Sequence, residues 1–225
     1  MKTELLNEQR RIYKSNFMLF KDSPQGTFQN NQETQYLRFE RLMKNILPQS
    51  GRFSIHDIGS GVADLHKFLL TRNVEHEYSG TEIVEEMNDT AKAKYPYINL
   101  YNRDLLNEEV EDTYNFVALS GVFNMPGAVD DDHWREFCYL MIAKMFSMCT
   151  DGIVFNFLTT HNTFSAPNLT YFQPVELFRY CIQNLSRFVM LDHAYPLYEA
   201  SITVFTQDYV QNRFTEDAFN KYLSR

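Results

Sequence analysis

One stretch constrains the fold of this chain more than any other: Phe53-Ser54-Ile55-His56-Asp57-Ile58-Gly59-Ser60-Gly61-Val62-Ala63-Asp64. Ser54 to Ile58 is short and mostly β-forming, so it reads as a buried strand. Gly59 and Gly61 admit backbone angles closed to residues with a Cβ and allow a ligand to approach the main chain. Leu65, Phe68 and Leu69 then recur at helical spacing. Strand, glycine turn and helix in that order form a nucleotide-type site at the carboxyl end of a first parallel strand.

From this stretch onward, strand and helix patterns alternate. Glu77–Ile83 reads as a second strand, followed by a helix through Lys94 that Pro96 closes. Ile98–Tyr101 is a third strand and Asn115–Phe123 a fourth. Asp130-Asp131-Asp132 supplies negative charge to the start of a helix running to about Met148, and Gly152–Leu158 is a fifth strand. Such alternation implies a doubly wound parallel sheet with helices on both faces. An irregular stretch, Thr159 to Pro174, leads into a helix at Val175–Leu185. Arg187–Asp192 and Ala200–Thr206 follow with too short a link for a crossover helix, so they should pair antiparallel. A terminal helix is expected at Glu216–Leu223, capped by Thr215. The expected fold is therefore α/β: a seven-stranded, mostly parallel sheet closed by an antiparallel hairpin. Residues 1–50 hold two helices, near 1–20 and Asn31–Ile46, as an N-terminal extension or lid, the second ended by Pro48 and Gly51. Residues 51–225 form the main domain.

Composition narrows the partners. A net charge of −8 argues against non-specific nucleic-acid binding, which relies on Lys and Arg at phosphates. No run approaches a membrane span, and the N-terminus is polar, so a cytoplasmic protein is expected, as a monomer or homodimer. Cys138, Cys149 and Cys181 show no paired spacing and read as reduced structural residues. No metal-ligand cluster is apparent. The three adjacent aspartates point in different directions and suit a helix start better than an ion.

Asp57-x-Gly59-x-Gly61 on the first strand, Glu82 at the end of the second, Asp104 after the third and the closing hairpin together resemble the class I S-adenosylmethionine-dependent methyltransferases. The resemblance covers roughly residues 53–208. Lys21-Asp22-Ser23-Pro24 and Glu33-Thr34-Gln35-Tyr36-Leu37-Arg38-Phe39 also resemble an N-terminal turn and helix of one bacterial branch. A nicotinamide or flavin site is the competing reading of the glycine motif. Asp64 stands where a dinucleotide fingerprint wants a small residue, and the hairpin is absent from a simple dinucleotide fold.

The resemblance implies S-adenosyl-L-methionine as cofactor. The Gly59–Gly61 turn would offer backbone N–H groups to its amino-acid end, and Asp57 would buttress the turn and order the ammonium. Glu82 would accept from both ribose hydroxyls, with Ile83 beside it, because a carboxylate has two acceptor oxygens. Asp104 would accept from the adenine amino group, with Leu105 packing nearby. The segment Ser120–Asn124 would lie by the methionine part. Tyr13, Gln35 and Arg38 would cover the cofactor from the N-terminal extension. His161, Tyr171 and His193 are the candidates for catalysis, since imidazoles titrate near neutral pH and all three lie on loops of the carboxyl side. The implied reaction is methyl transfer to an O or N atom of a small molecule. Around His193–Glu199 the chain resembles, weakly, proteins encoded with surface-polysaccharide or secondary-metabolite pathways. Two alternatives stay open: cyclisation of the cofactor on the same fold, and a non-catalytic cofactor-binding protein.

Overall fold

The computed structural model describes residues 2–47 and 51–223. Pro48 therefore lies outside the described residues. Among the described residues, seven strands form one sheet: β1 (Phe53–Ile58), β2 (His76–Thr81), β3 (Asn99–Tyr101), β4 (Tyr114–Leu119), β5 (Cys149–Leu158), β6 (Val189–Asp192) and β7 (Glu199–Phe205). Their order is β3-β2-β1-β4-β5-β7-β6. The first five pair parallel, and β7 runs antiparallel to both β5 and β6. This is the expected sheet with its closing hairpin.

Eight α-helices among the described residues accompany it: α1 (Lys2–Phe20), α2 (Gln32–Met43), α3 (Asp64–Thr71), α4 (Glu85–Lys94), α5 (Asp131–Ser147), α6 (Pro174–Asn184), α7 (Gln207–Arg213) and α8 (Asn220–Leu223). Period-two alternation sends successive strand residues into opposite layers. Val117 and Leu119 of β4 join a core built with α1, α5 and α6. Phe116 and Ala118, the residues between and before them, join the core built with α2 and α3. The buried β4 and β5 segments thus read as near-continuous apolar runs, as a doubly covered parallel sheet requires.

Helix starts follow local chemistry. The Asn31 side chain accepts from the Thr34 N–H at 2.8 Å and Asp130 from the His133 N–H at 3.1 Å, each satisfying an otherwise orphaned donor. Pro174 opens α6, where its missing N–H costs nothing.

The structure corrects the C-terminal expectation. Thr206, assigned to the strand by pattern, instead caps an unpredicted helix, α7, accepting from the Tyr209 N–H at 3.2 Å. The expected single helix at Glu216–Leu223 is a 3-10 turn, Asp217–Phe219, followed by the short α8. Its N-cap is Glu216, not Thr215.

Candidate functional site

Register brings the strand ends level. Ile58 pairs with Thr81 and with Leu119, Thr81 with Tyr101, and Leu119 with Phe155. Gly59, Glu82, Ser120 and Asn156 therefore emerge at one edge of the sheet. The strand order reverses between β1 and β4, the crevice where open α/β sheets bind ligands. A cavity opens there. It is lined by residues from the ends of β1, β2, β3 and β4 together with α1, α2 and α5.

Gly59 and Gly61 sit at φ +72° and +54°, left-handed values that glycine tolerates. A Cβ on Gly59 would collide with Cγ2 of Val122. The turn differs from expectation in what it offers. The N–H groups of Gly59 and Ser60 donate to Thr81 O at 2.8 and 3.2 Å, and Gly61 N–H donates to Glu82 Oε2 at 2.8 Å. Three successive donors are thus consumed in holding β1 to β2. The turn is therefore suited to presenting acceptors to a ligand. Periodicity and glycine content carry no information on which partner takes an N–H, so this was not legible in the sequence.

Acidity dominates this part of the cavity. Asp57, Asp64 and Glu82 all line it. Asp57 is buried and accepts the Tyr78 O–H at 2.7 Å. Burial pushes its pKa up to about 7; the Tyr78 hydrogen bond opposes that, and the Glu82 and Asp64 charges add to it. Glu82, also buried, is raised by desolvation, while its hydrogen bonds to the Val84, Gly61 and Ile83 backbone pull it back. Val84 N–H reaches Glu82 Oε1 at 2.8 Å. Gln35 of α2 donates to Asp64 Oδ2 at 3.0 Å. Ser60 is 5% exposed, and its buried hydroxyl has no partner. The cation Arg103 also lines the cavity, but Asp112 holds it at 3.0 Å.

Of the residues expected around a cofactor, Tyr13, Gln35, Asp57, Gly59, Gly61, Glu82, Ile83, Asp104, Leu105 and Ser120 line this cavity. Asp104 accepts from the Leu106 N–H at 3.0 Å and from the Asn107 side chain. Tyr13 packs edge-on to Phe28, with ring centroids 5.2 Å apart. Asn124 and Arg38 are not in the lining. The Asn124 carbonyl accepts from Thr170 N–H at 2.9 Å. Arg38 is committed elsewhere: its Nε reaches Glu199 Oε1 at 2.6 Å, and a terminal nitrogen reaches Gln29 Oε1 at 2.5 Å. Glu199 in turn accepts from Asn156 at 2.7 Å, and Asn156 accepts from Gly121 N–H at 2.8 Å. A buried polar relay thus runs from α2 through β7 and β5 to the end of β4.

A second, apolar group lines the same cavity: Leu6, Ile83, Leu105, Val122, Phe137 and Met141, which also pack within one cluster. Trp134 is fully buried, with its indole N–H donating to Phe123 O at 3.0 Å. Gln9 and Gln29 line the cavity and were not anticipated.

The three catalytic candidates lie outside that lining. His161 and His193 are exposed, with ring centroids 5.9 Å apart, and His193 Nε2 lies 3.3 Å from the Thr159 hydroxyl. The Tyr171 hydroxyl accepts from Ala166 N–H at 2.9 Å. Among the described residues no group of three or more His, Cys, Asp or Glu is arranged to hold a metal, and no helix is long and apolar enough to cross a membrane.

The fold recurs in solved proteins. DhpI, crystallised with SAM and HEP, superposes with a TM-score of 0.64 at 14% identity, over 88% of this chain and 96% of its own. Magnesium protoporphyrin IX methyltransferase (ChlM) from Synechocystis PCC 6803 with bound SAH gives 0.57 at 13% identity, over 88% and 99%. This chain has the class I methyltransferase fold. The pyocyanin biosynthetic protein PhzM shares it at a TM-score of 0.60 and 15% identity, over 86% of this chain and 61% of its own. In sequence, a Mycobacterium tuberculosis (strain ATCC 25618 / H37Rv) protein that carries a provisional methyltransferase name is 28% identical over 155 residues, 68% of this chain and 92% of its own. No family model matches the chain.

Proposed function

We propose that the chain is an S-adenosylmethionine-dependent methyltransferase acting on an O or N atom of a small molecule in the cytoplasm. The observation that carries the reading is the acid trio Asp57, Asp64 and Glu82 around one cavity at the sheet's switch point. A dinucleotide would bring its pyrophosphate to the glycine turn, beside Asp57 and Asp64, and be repelled, while Glu82 suits the ribose of either ligand. A ligand with an ammonium and a sulfonium is attracted. Together with the fold, this favours the methyl donor over NAD or FAD.

S-adenosylmethionine supplies an electrophilic methyl group. The chain's own residues bind, orient and exclude water. Asp57 and the acceptor face of the glycine turn hold the ammonium end, and Glu82 accepts from the ribose hydroxyls. Asp104 takes an adenine amino hydrogen, and Leu105, Ile83 and Val122 sandwich the base. Ser120 flanks the methionine part. Tyr13 and Gln35 close the cavity from residues 1–50, which act as the lid. Aligning an acceptor with the methyl group provides most of the rate enhancement, so a proton acceptor is required only where the acceptor atom carries a proton at working pH. His161 and Tyr171, on the segment between β5 and α6, and His193, in the link between β6 and β7, are the candidates for that role, although none lines the cavity.

Titration calorimetry with S-adenosylmethionine is the test. Saturable heat with S-adenosylmethionine and none with NADH supports the reading. A folded sample that gives heat only with NADH, or with neither, overturns it.

A further inference from the structure

Gln9 stands apart from the rest of the cavity. It lies on α1, one turn beyond Leu6 and four residues before Tyr13, so all three share the helix face that lines the cavity. Arg10, the next residue, donates from Nε to Ile83 O at 2.9 Å and anchors α1 beside the end of β2. Gln9 is 4% exposed, and its amide nitrogen is buried with no hydrogen-bond partner. An unpaired buried donor is destabilising. Its surroundings make that harder to explain as packing. Leu6, one turn before it on the same helix face, belongs with Leu105, Phe137 and Met141 to one apolar cluster lining this cavity. A carboxamide among apolar walls, with one acceptor and one two-hydrogen donor, matches a purine edge. It can accept from N6 and donate to N7 at once.

We infer that Gln9 reads the Hoogsteen edge of the cofactor's adenine, its carbonyl accepting the N6 hydrogen on the N7 side and its amide donating to N7. This rests on the methyl-donor reading above. Asp104 then takes the other N6 hydrogen, and the two side chains together separate adenine from hypoxanthine, which carries a carbonyl at that position. The N-terminal helix thus contributes base specificity as well as cover.

The test compares three probes by calorimetry: S-adenosylhomocysteine, its 7-deaza analogue, and S-inosylhomocysteine. The wild type should bind S-adenosylhomocysteine about 10-fold tighter than the 7-deaza analogue. In Gln9→Leu and Gln9→Met that ratio should fall close to one, because both probes lose the bond at N6 but only S-adenosylhomocysteine loses the bond at N7. S-inosylhomocysteine should stay weak in every variant, since Asp104 still rejects its carbonyl. A wild-type ratio near one, or a ratio the two variants leave unchanged, overturns the assignment to Gln9. Failure of the wild type to bind any of the three overturns the methyl-donor reading instead. A loss of folding alone would weaken all probes together and leave the ratio intact, which also counts against Gln9. The two substitutions differ in shape, so agreement between them excludes a packing artefact.

Discussion

Replacing Asp57 by Asn should stabilise the empty protein while weakening its hold on S-adenosylmethionine. The Asp57 pKa is about 7 in the folded chain, against 3.8 for the unperturbed group, chiefly because the carboxyl is buried. A folded-state value above the unfolded one means that folding is favoured by the bound proton. That contribution is fully present below about pH 3.8 and is lost as pH rises through about 7. The gap between the two values corresponds to about 4 kcal/mol. Asparagine keeps the shape, and its carbonyl can still accept the Tyr78 hydroxyl that Asp57 holds at 2.7 Å. At pH 8 the variant should therefore unfold at a temperature higher by roughly 5–10 °C, taking about 2–4 °C per kcal/mol and allowing for partial relaxation. At pH 4 the two proteins should melt together. Added S-adenosylmethionine should raise the wild-type melting temperature well above that of the variant at pH 8, because only the carboxylate compensates a cation. Thermal melts at the two pH values, with and without S-adenosylmethionine, check all four cases. Equal stabilisation at pH 4 and pH 8 would refute the reasoning, because it would trace the gain to packing and not to a buried charge.

Other outcomes follow from the same geometry. Glu82→Ala should weaken S-adenosylmethionine binding by ~1.5–3 kcal/mol, the range for a hydrogen bond to a charged group, and calorimetry on the folded variant measures it. Glu199→Gln and Arg38→Met should each destabilise the chain by about 3 kcal/mol, since each leaves a buried charge or its partners unmatched. The double variant should lose clearly less than the sum, which a double-mutant cycle by urea denaturation reads directly. Acid should act on the histidines in the opposite sense to Asp57. His56 and His66 are both buried, and desolvation lowers their pKa values to about 3 and about 4. Folded-state values below the unfolded 6.5 mean stability present above pH 6.5 and lost as pH falls towards 4, about 3 kcal/mol for each group. In the wild type Asp57 offsets part of that loss, so Asp57→Asn should show the steeper decline in urea-derived stability between pH 6.5 and pH 4.

The sheet was legible because its signals are local and repeated. Each strand is a short apolar run, each crossover a periodic helix, and the link between β6 and β7 is too short for anything but a hairpin. The residues just past the strand ends were legible for the same reason: once the strands are placed, register alone sets Gly59, Glu82 and Ser120 at one edge. What escaped depends on partners far away in sequence. Arg38 looked like a free fork for a carboxylate, yet its carboxylate is Glu199, 161 residues on. The donors of the glycine turn looked available, yet Thr81 and Glu82 consume them. Gln9 carried no signal because one glutamine in an amphipathic helix is unremarkable until the cavity beside it is seen. The helix α7 was hidden because Thr206 fits a strand end as well as it fits a cap.

The Arg38–Glu199 pair bears on how such chains diversify. A boundary drawn near residue 50 marks off a segment that recombination could exchange for another. Here that exchange is blocked by electrostatics. A transplanted lid lacking an arginine at the position of Arg38 would strand Glu199, 2% exposed at the start of β7, as a buried uncompensated anion. Its link through Asn156 to the Gly121 amide would carry the damage into the segment that follows β4. A change at position 38 must therefore arrive together with one at position 199, so the two positions evolve as one unit although 161 residues separate them.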